Sequence, residues 1–426
     1  MHTFAQTSRM KKLALLAALA SPVTAALATD GYFSHGYGMK AKGMGGASVA
    51  MTDNAFAGAN NPAIAAWAGD RIEVGVDVFM PERSMARAGG MVDASVTSDS
   101  TSFVVPEFGY NRKLSEQMGL GITVYGNGGM NTDYAGGQIH CGPAANNVLC
   151  GSNRLGVDLQ QLIIAPTFAY RFSANQSVGV SPLLVQQIFK ADGVDLFDNG
   201  MMSSAPGKVS GNGYDSSSGL GLRLGYLGKL SEAVTVGASY APKVAMSKLS
   251  KYAGLFAEQG SFDIPENYTL GATFKPNPNV VLAMDYERIS YSGVKSISNP
   301  SSNPAQLGSA GGPGFGWKDV DVWKLGVQWT VSPKLDVRAG VNVGDNPIKS
   351  RDVSFNILAP GVVTTHYTLG ATYGLSDTSE VTLAYMYAPS NSVSGSSMFN
   401  AQMPAGNETI KMSQQSLGIQ FGWHWK

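Results

Sequence analysis

The chain has 426 residues, with 30 basic and 30 acidic side chains and a formal net charge of zero. A balanced charge provides no broad attraction to nucleic acid, so we expect no nucleic-acid partner. Charged residues make up 14% of the chain and 52 residues are glycine, whereas soluble domains average about 25% charged residues and about 7% glycine. This composition favours an envelope protein over a cytoplasmic enzyme.

Residues 1–28 are expected to be a secretory signal peptide. Lys11 and Lys12 precede an apolar run that ends at Ala28. The run is too short for a membrane-spanning helix, whereas the basic start and the small residues at its end are typical of a signal cleaved after Ala28. Met10 is an alternative start.

Residues 29–70 are rich in Gly and other small residues and lack strand-like alternation. A nucleotide-binding loop would need a strand before the glycines and a Gly-Lys-Ser/Thr sequence after them, and the segment has neither. Glycine permits close backbone approach. We therefore expect the segment to fold back as a plug inside the structure that follows.

After residue 70 the chain alternates between apolar and polar positions. In the first such stretch Val74 and Val76 share one face while Glu73 and Asp77 share the other, and period two predicts a β-strand. Eight segments alternate clearly: 71–80, 118–126, 234–242, 268–274, 280–286, 335–343, 381–387 and 417–425. Six less regular segments complete the set: 103–112, 157–172, 176–190, 219–228, 319–330 and 363–373.

Fourteen predicted strands are an even number, as in bacterial outer-membrane barrels. The predicted fold is all-β, a 14-stranded antiparallel transmembrane β-barrel over 71–426 with the N-terminal plug in its lumen. Short turns such as 113–117 would face the periplasm, and long loops such as 127–156 the outside. Aromatic residues near strand ends on the apolar face resemble interfacial girdles. Soluble β-sandwiches or a propeller are the alternative.

The two cysteines, Cys141 and Cys150, lie nine positions apart in the second long loop. In an exported chain this spacing predicts a local disulfide. A zinc site is the alternative, but His140 is the sole nearby histidine and a second cysteine pair is missing, so we expect no metal.

Four sequence features resemble a known family. They are the Gly-Tyr-Phe and Gly-Met-Gly-Gly-Ala sequences of the plug, Asn61-Pro62-Ala63 before the first strand, Tyr134-Ala-Gly-Gly in the second loop, and Ile264-Pro-Glu before the eighth strand. Together they resemble the outer-membrane transporters of long-chain fatty acids and aromatic hydrocarbons, the FadL-like, OMPP1/TodX type. The resemblance implies a plugged fourteen-stranded barrel and ligand-gated diffusion of a hydrophobic molecule, which leaves sideways through the wall beside a kinked third strand.

The resemblance also implies positions for cargo binding. An apolar groove is expected among the loops, at Leu196, Phe197, Met201, Met202, Leu249, Tyr252, Leu255 and Phe256. The last four have the spacing of one face of a short helix, and loop packing is the alternative role. A deeper site would use the plug residues Phe33, Met39, Met44 and Phe56, for which packing is again the alternative.

A fatty-acid carboxylate inside an apolar pocket needs a charged partner. Lys190 and Lys318 occupy the places where the resemblance implies basic residues, although solvated rim lysines would look the same. Gating positions are expected at Asn61, Pro62 and Ala63, and at Gly126, Gly128 and Gly129. These last three glycines close the predicted third strand, where they suit a bend or an ordinary strand end.

An enzyme is not expected, because the sequence lacks a nucleophile elbow and a zinc-protease helix, and its five histidines are scattered. No cofactor is expected. The expected partners are a hydrophobic small molecule and the lipid and lipopolysaccharide of a Gram-negative outer membrane, with the protein as a monomer. The rival functions are a plugged porin-like channel and a surface adhesin without hydrophobic cargo.

Overall fold

The computed structural model describes residues 30–141 and 143–425. The expected signal peptide, residues 1–28, lies outside the described residues. The strands are β1 (Asp70–Ala88), β2 (Ala94–Thr97), β3 (Phe103–Lys113), β4 (Met118–Tyr134), β5 (Ile139–His140), β6 (Ala145–Asn146), β7 (Leu155–Ser173), β8 (Gln176–Asp192), β9 (Asp215–Lys229), β10 (Val234–Ala241), β11 (Asn267–Asn277), β12 (Val280–Ile289), β13 (Val320–Ser332), β14 (Leu335–Gly344), β15 (Thr365–Ser376), β16 (Ser379–Ser396) and β17 (Asn407–Trp425).

The sheet closes on itself. It has 15 strands, of which short β2 only flanks β1, and β17 pairs back to β1. The remaining fourteen strands form a closed antiparallel barrel, which confirms the predicted fold class. β5 and β6 form a separate two-stranded hairpin. No helix within residues 30–141 and 143–425 is long and apolar enough to cross a membrane.

The side chains of each strand alternate between the lumen and the outer surface. On β1, Glu73 and Asp77 are buried in the lumen, whereas Val74 is 45% exposed. On β13, Trp323 and Trp329 are about half exposed on the outer surface. This agrees with the aromatic residues predicted for the lipid-facing surface.

The strands reach further toward the long loops than the sequence predicts. β1 continues to Ala88, β4 to Tyr134 and β16 to Ser396, whereas strand ends were predicted at residues 80, 126 and 387. The outer ends are polar on both faces, as in the Ser-Asn-Ser-Val-Ser-Gly-Ser sequence that ends β16. Backbone pairing continues there although the hydrophobic alternation has stopped.

The helices are short. They are α1 (Met39–Lys42), α2 (Ala57–Asn60), α3 (Ala257–Gly260) and α4 (Lys295–Ser298), with 3-10 turns at Pro62–Ala66, Asp195–Phe197, Ser250–Tyr252, Tyr291–Gly293, Ser350–Asp352, Phe355–Ile357 and Met398–Ala401. The predicted short helix over 249–256 is wrong. Only a three-residue 3-10 turn forms there, because three- and four-residue spacing is too weak a signal over so few residues.

Residues 30–69, here called the N-terminal segment, lie within the barrel. Most of their side chains are buried, and α1, α2 and the turn at Pro62–Ala66 contact strands around the wall. Glycines in the N-terminal segment and in the barrel strands allow the two backbones to lie close together. A Cβ at Gly45 would lie 2.7 Å from the carbonyl oxygen of Val341, and a Cβ at Gly119 would lie 1.9 Å from that of Ala65.

Candidate functional site

The barrel wall has an opening between β3 and β4. Every residue of both strands is described, yet they pair only from Phe108–Val124 to Lys113–Gly119. Beyond that point β3 pairs with β1 alone, as far as Phe103. β4 stays paired with β7 as far as Tyr134, but on its β3 side it next meets the N-terminal segment at Gly128 and Ser98 at Tyr134. We call the unpaired stretch between residues 103–107 and 125–131 the window. An unpaired strand edge within a lipid-facing wall is costly, which points to a function.

A β-bulge bends β4 at the window. Its register with β7 shifts between Gly126 and Gly128, so Asn127 is the extra residue. A bulge bends its strand and disrupts regular pairing. The prediction that Gly126, Gly128 and Gly129 end the strand is wrong, because β4 continues past them to Tyr134. The predicted bend falls at these glycines.

The first described residues, Asp30–Ser34, cover the window from inside, and we call them the tip. The Ser34 N–H donates to the Asn127 carbonyl oxygen at 3.2 Å, and the Gly129 N–H donates to that of Tyr32 at 3.1 Å. A Cβ on Gly128 would lie 1.7 Å from the Tyr32 oxygen. The tip can therefore pair with β4 here only because residue 128 is glycine.

Aromatic side chains hold the tip in place. The Tyr291 hydroxyl donates to the Asp30 carbonyl oxygen at 2.6 Å and accepts from the Tyr32 N–H at 3.1 Å. The Tyr291 ring also packs edge-on against Phe33 and against Trp317 at 5.1 Å. Since Tyr291 and Trp317 lie in a long loop, the tip is linked to the outer loops.

The carboxyl group of Asp30 is buried with the tip. It accepts a hydrogen bond from the Asn342 amide at 3.1 Å. Burial raises the pKa of Asp30 to about 7, although the positive charge of Lys324 opposes this shift. Burial therefore favours the neutral form of this carboxyl group.

The side chains that line the lumen become more apolar from the short turns toward the long loops. On β8, the lumen-facing positions near the short turns are Ser177 and Ser181, and those near the long loops include Val185 and Phe189. β1 changes in the same direction, with Asp77 on the inner side of Phe79. We call these the inner half and the outer half. The buried apolar side chains of the outer half and the loops form one continuous cluster that includes the tip.

In the inner half, charged side chains of the wall bind the N-terminal segment. The Lys42 ammonium lies 2.9 Å from Asp77 and 2.7 Å from Glu107. Burial alone would lower the pKa of Lys42, but these two carboxylates raise it. Asp285 accepts the backbone N–H groups of Ser48 and Val49 at 2.7 and 2.9 Å. Charge-assisted bonds of this kind are stronger than neutral ones.

One of the four plug residues predicted for a deeper ligand site lies in the apolar cluster. Phe33 packs there as part of the tip. The other three are buried but pack against glycines: Met39 over Gly418, Met44 against Gly326 and Phe56 against Gly38. The structure thus gives these three a packing contact, and a ligand role for all four stays a prediction.

The predicted loop groove divides into three parts. Phe197 and Leu255 line one small apolar cavity, together with Phe355 and Met398. Tyr252 and Phe256 are buried, with rings 4.8 and 4.7 Å from that of Phe189, and Leu249 is buried in the same cluster. Leu196, Met201 and Met202 are exposed, Met201 at 87%.

The two predicted carboxylate partners already have acidic neighbours. Lys190 lies 3.5 Å from Asp192 and lines a polar cavity of about 530 Å³. Lys318 lies 3.6 Å from Asp345 and is about half exposed. Neither lysine belongs to the apolar cluster, and the carboxylate role stays a prediction for both.

Asn61 holds the end of the N-terminal segment against the wall. Its amide donates to the carbonyl oxygens of Val49 and Tyr226 at 2.7 and 2.9 Å, and its oxygen caps the turn by accepting from the Ala63 N–H. Pro62 begins that turn, where its missing N–H costs nothing. These contacts position the segment, and gating by Asn61, Pro62 and Ala63 stays a prediction.

Cys141 and Cys150 are joined in a disulfide beside the β5–β6 hairpin. In the part of the chain that the structure describes, no cluster of three or more His, Cys, Asp and Glu residues could hold a metal ion.

Sequence reasoning missed several residues of the window and the tip. Pro106 lies in the free edge of β3, and proline within an apolar strand is a recognised edge signal. Tyr125, Tyr291 and Trp317 were missed because strand periodicity carries no information about loop aromatics or about which strand edges remain unpaired.

A family model described as outer membrane protein transport protein (OMPP1/FadL/TodX) matches residues 16–423. Similar solved structures include the toluene transporter TodX of P. putida, with 19% identity, 92% of this chain and 99% of that chain covered, and a TM-score of 0.66. A FadL homologue of Pseudomonas aeruginosa has 13% identity, 93% and 100% coverage, and a TM-score of 0.68. The toluene transporter TbuX of Ralstonia pickettii has 18% identity, 92% and 99% coverage, and a TM-score of 0.65. No curated protein matches the chain.

Proposed function

The chain belongs to the OMPP1/FadL/TodX family of outer membrane transport proteins, and from that premise we propose that it takes up hydrophobic small molecules, long-chain fatty acids or hydrocarbons, and releases them sideways through the window. The family is one of channel-type transporters in the outer membrane, not of enzymes. In this proposal the protein acts as a monomer, with its wall in lipid and its loops beside lipopolysaccharide.

Capture begins at the outer loops. The small cavity lined by Phe197, Leu255 and Phe355 borders the buried apolar cluster, and in this proposal the cargo enters there. A hydrophobic solute gains about 0.8 kcal/mol for each methylene that leaves water. Met398 lines the same cavity, and methionine adapts to ligands of irregular shape.

Release follows when the cargo displaces the tip. The tip is held by two hydrogen bonds with the Tyr291 hydroxyl and by its pairing with Asn127 and Gly129. Once it moves, the window connects the apolar cluster with the lipid outside. The inner half stays closed by charged contacts, so an apolar solute passes more readily into the membrane than toward the periplasm.

The observation that carries this proposal is the window itself. A porin needs no break in its wall, and an adhesin needs no apolar interior beneath its loops. Here the unpaired edge of β3, the bulge at Asn127 and the tip that covers both coincide at one place in the wall.

The experiment separates capture from release. Gly126→Val adds a β-branched side chain at the bulge and favours regular pairing. We expect uptake of radiolabelled laurate and toluene by cells to fall to the level of cells without the protein, while binding to the purified variant stays unchanged. Gly128→Val is unsuitable, because its side chain would collide with Tyr32 and displace the tip.

Gly200→Val is the matched control, since a Cβ at Gly200 meets no atom within 4 Å. It should support normal uptake. If Gly126→Val binds and transports like the wild type, release does not use the window. If the wild type binds neither compound, hydrophobic uptake itself is refuted.

A further inference from the structure

Arg83 is a buried arginine at the outer edge of the window. It projects into the lumen from β1 and is 3% exposed. Its two terminal nitrogens donate to the carbonyl oxygens of Asn131 on β4 and of Ser100 before β3. Its guanidinium carbon lies 5.5 Å from the centre of the Phe103 ring. The side chain therefore spans the gap between the two strands that border the window.

Arg83 differs from Arg87, which lies four residues further along β1 and also faces the lumen. Arg87 is paired with the buried carboxylate of Glu408 at 2.9 Å. Arg83 forms no ion pair among the described residues: the carboxylate of Asp158 interacts with it electrostatically without direct contact, and its Nε has no hydrogen-bond partner. A buried charge is costly unless it is paired, so a guanidinium that lacks a direct carboxylate partner at this place suits an anion.

Tyr134 supplies a second donor beside Arg83. Its side chain is fully buried and its hydroxyl has no hydrogen-bond partner within the described chain. The two side chains lie close enough to interact electrostatically. Ser98 connects the backbones of Arg83 and Tyr134. Its N–H donates to the Arg83 carbonyl oxygen at 2.8 Å, and it forms an antiparallel β-bridge with Tyr134.

The surroundings of Arg83 suit a ligand with an apolar body. Arg83 lines a cavity of about 10 Å³ with Gly31, Met130, Trp317 and Met412, which is room for about one water molecule. Gly31 belongs to the tip, so the cavity enlarges when the tip moves. On the outer side, Asn131 and Ser100 also line the large polar cavity at the loops.

We propose that Arg83, assisted by Tyr134, binds the carboxylate of the cargo at the outer edge of the window, so that the protein selects apolar monocarboxylates over neutral hydrocarbons. This rests on the proposed function and deepens it. A guanidinium and a phenol hydroxyl match the acceptor oxygens of a carboxylate. A neutral hydrocarbon would leave the Nε of Arg83 and the hydroxyl of Tyr134 without a partner.

The test compares laurate with methyl laurate, which has the same chain without the charge, by Trp fluorescence of the full-length protein in lipid nanodiscs. A bond to a charged group is worth about tenfold or more in affinity, so the wild type should prefer laurate by at least about that factor. Arg83→Met should abolish the preference and leave methyl laurate binding unchanged. Arg83→Lys should restore part of it, and Tyr134→Phe should weaken it less.

Three control variants remove other groups that could carry the preference. Lys190→Met and Lys318→Met remove the lysines predicted from sequence, and Arg223→Met removes another buried arginine whose Nε has no partner. All three should keep the preference for laurate. The inference is overturned if the wild type binds both compounds equally, if Arg83→Met weakens both equally while Arg83→Lys does too, or if a control variant rather than Arg83→Met loses the preference. Equal binding of both compounds would leave hydrophobic uptake standing, whereas binding of neither would refute the proposed function.

Discussion

The two halves of the lumen hold the same N-terminal segment by different forces. In the inner half, Lys42 and the backbone of Ser48 and Val49 are bound by buried carboxylates of the wall. In the outer half, the tip is held by ring packing, by two hydrogen bonds with the Tyr291 hydroxyl and by backbone pairing with β4. Buried ion pairs are costly to break, whereas apolar contacts can be replaced by an apolar ligand at little cost.

Because these forces differ, we infer that one segment can act both as a seal and as a gate. A hydrophobic cargo that reaches the outer half competes directly with the contacts that hold the tip. It offers nothing that replaces the charge pairs of the inner half. In the proposed mechanism the cargo therefore moves the tip and leaves the seal toward the periplasm in place.

The largest effect is expected when the contacts of the N-terminal segment in both halves of the lumen are removed at once. Deletion of residues 30–69 should leave a folded barrel, because the fourteen strands close through β1 and β17 without the segment. The exposed inner half would be lined by polar side chains such as Glu73 and Asp77, which water solvates readily. Single-channel recordings in planar bilayers should show a steady open conductance that the full-length protein lacks. If the conductance does not increase, the N-terminal segment is not what closes the barrel.

The barrel could be predicted from sequence because strand alternation is a local property. The polar and apolar faces of β1 are visible in a few residues such as Glu73 and Val74. The outer strand ends could not be predicted, since residues up to Ser396 lose the alternation but keep their pairing.

The site was only partly predictable for a different reason. The glycines at 126–129 and Pro106 are local signals of a disturbed strand, but which edge stays unpaired depends on partners distant in sequence. Arg83 was overlooked because its predicted position lay in a loop, beyond the end of the first predicted strand. Phe197 and Leu255 were predicted as groove residues from the family resemblance together with their apolar side chains, and the structure places both beside one cavity.

A substitution in the inner half should have the next largest effect. Lys42→Met leaves the buried carboxylates of Asp77 and Glu107 without their cation, and loss of one partner of a buried pair costs about 3–5 kcal/mol. The free energy of unfolding, measured by urea titration in lipid vesicles, should fall by this amount. Lys295→Met is the control, because its pair with Glu258 is exposed and such pairs contribute about 0–1 kcal/mol. Equal losses for the two variants would mean that the inner half is not the stronger anchor.

The smallest effect is expected at the tip. Tyr291→Phe removes the hydroxyl that bonds Asp30 and Tyr32 and keeps the ring packing. Each hydrogen bond contributes about 1 kcal/mol, so loss of both should accelerate hydrogen exchange at residues 30–34 by roughly thirtyfold. The free energy of unfolding should fall by at most about 2 kcal/mol, which is less than for Lys42→Met. Tyr240→Phe, which removes a hydroxyl bonded to Glu266 at the exposed rim, should leave exchange at the tip unaltered. The peptide that contains Lys42 decides the comparison, because its exchange is governed by the inner half and should not change in either variant. If exchange accelerates equally at Lys42 and at the tip, the segment moves as one unit, and displacement of the tip would open the inner seal as well.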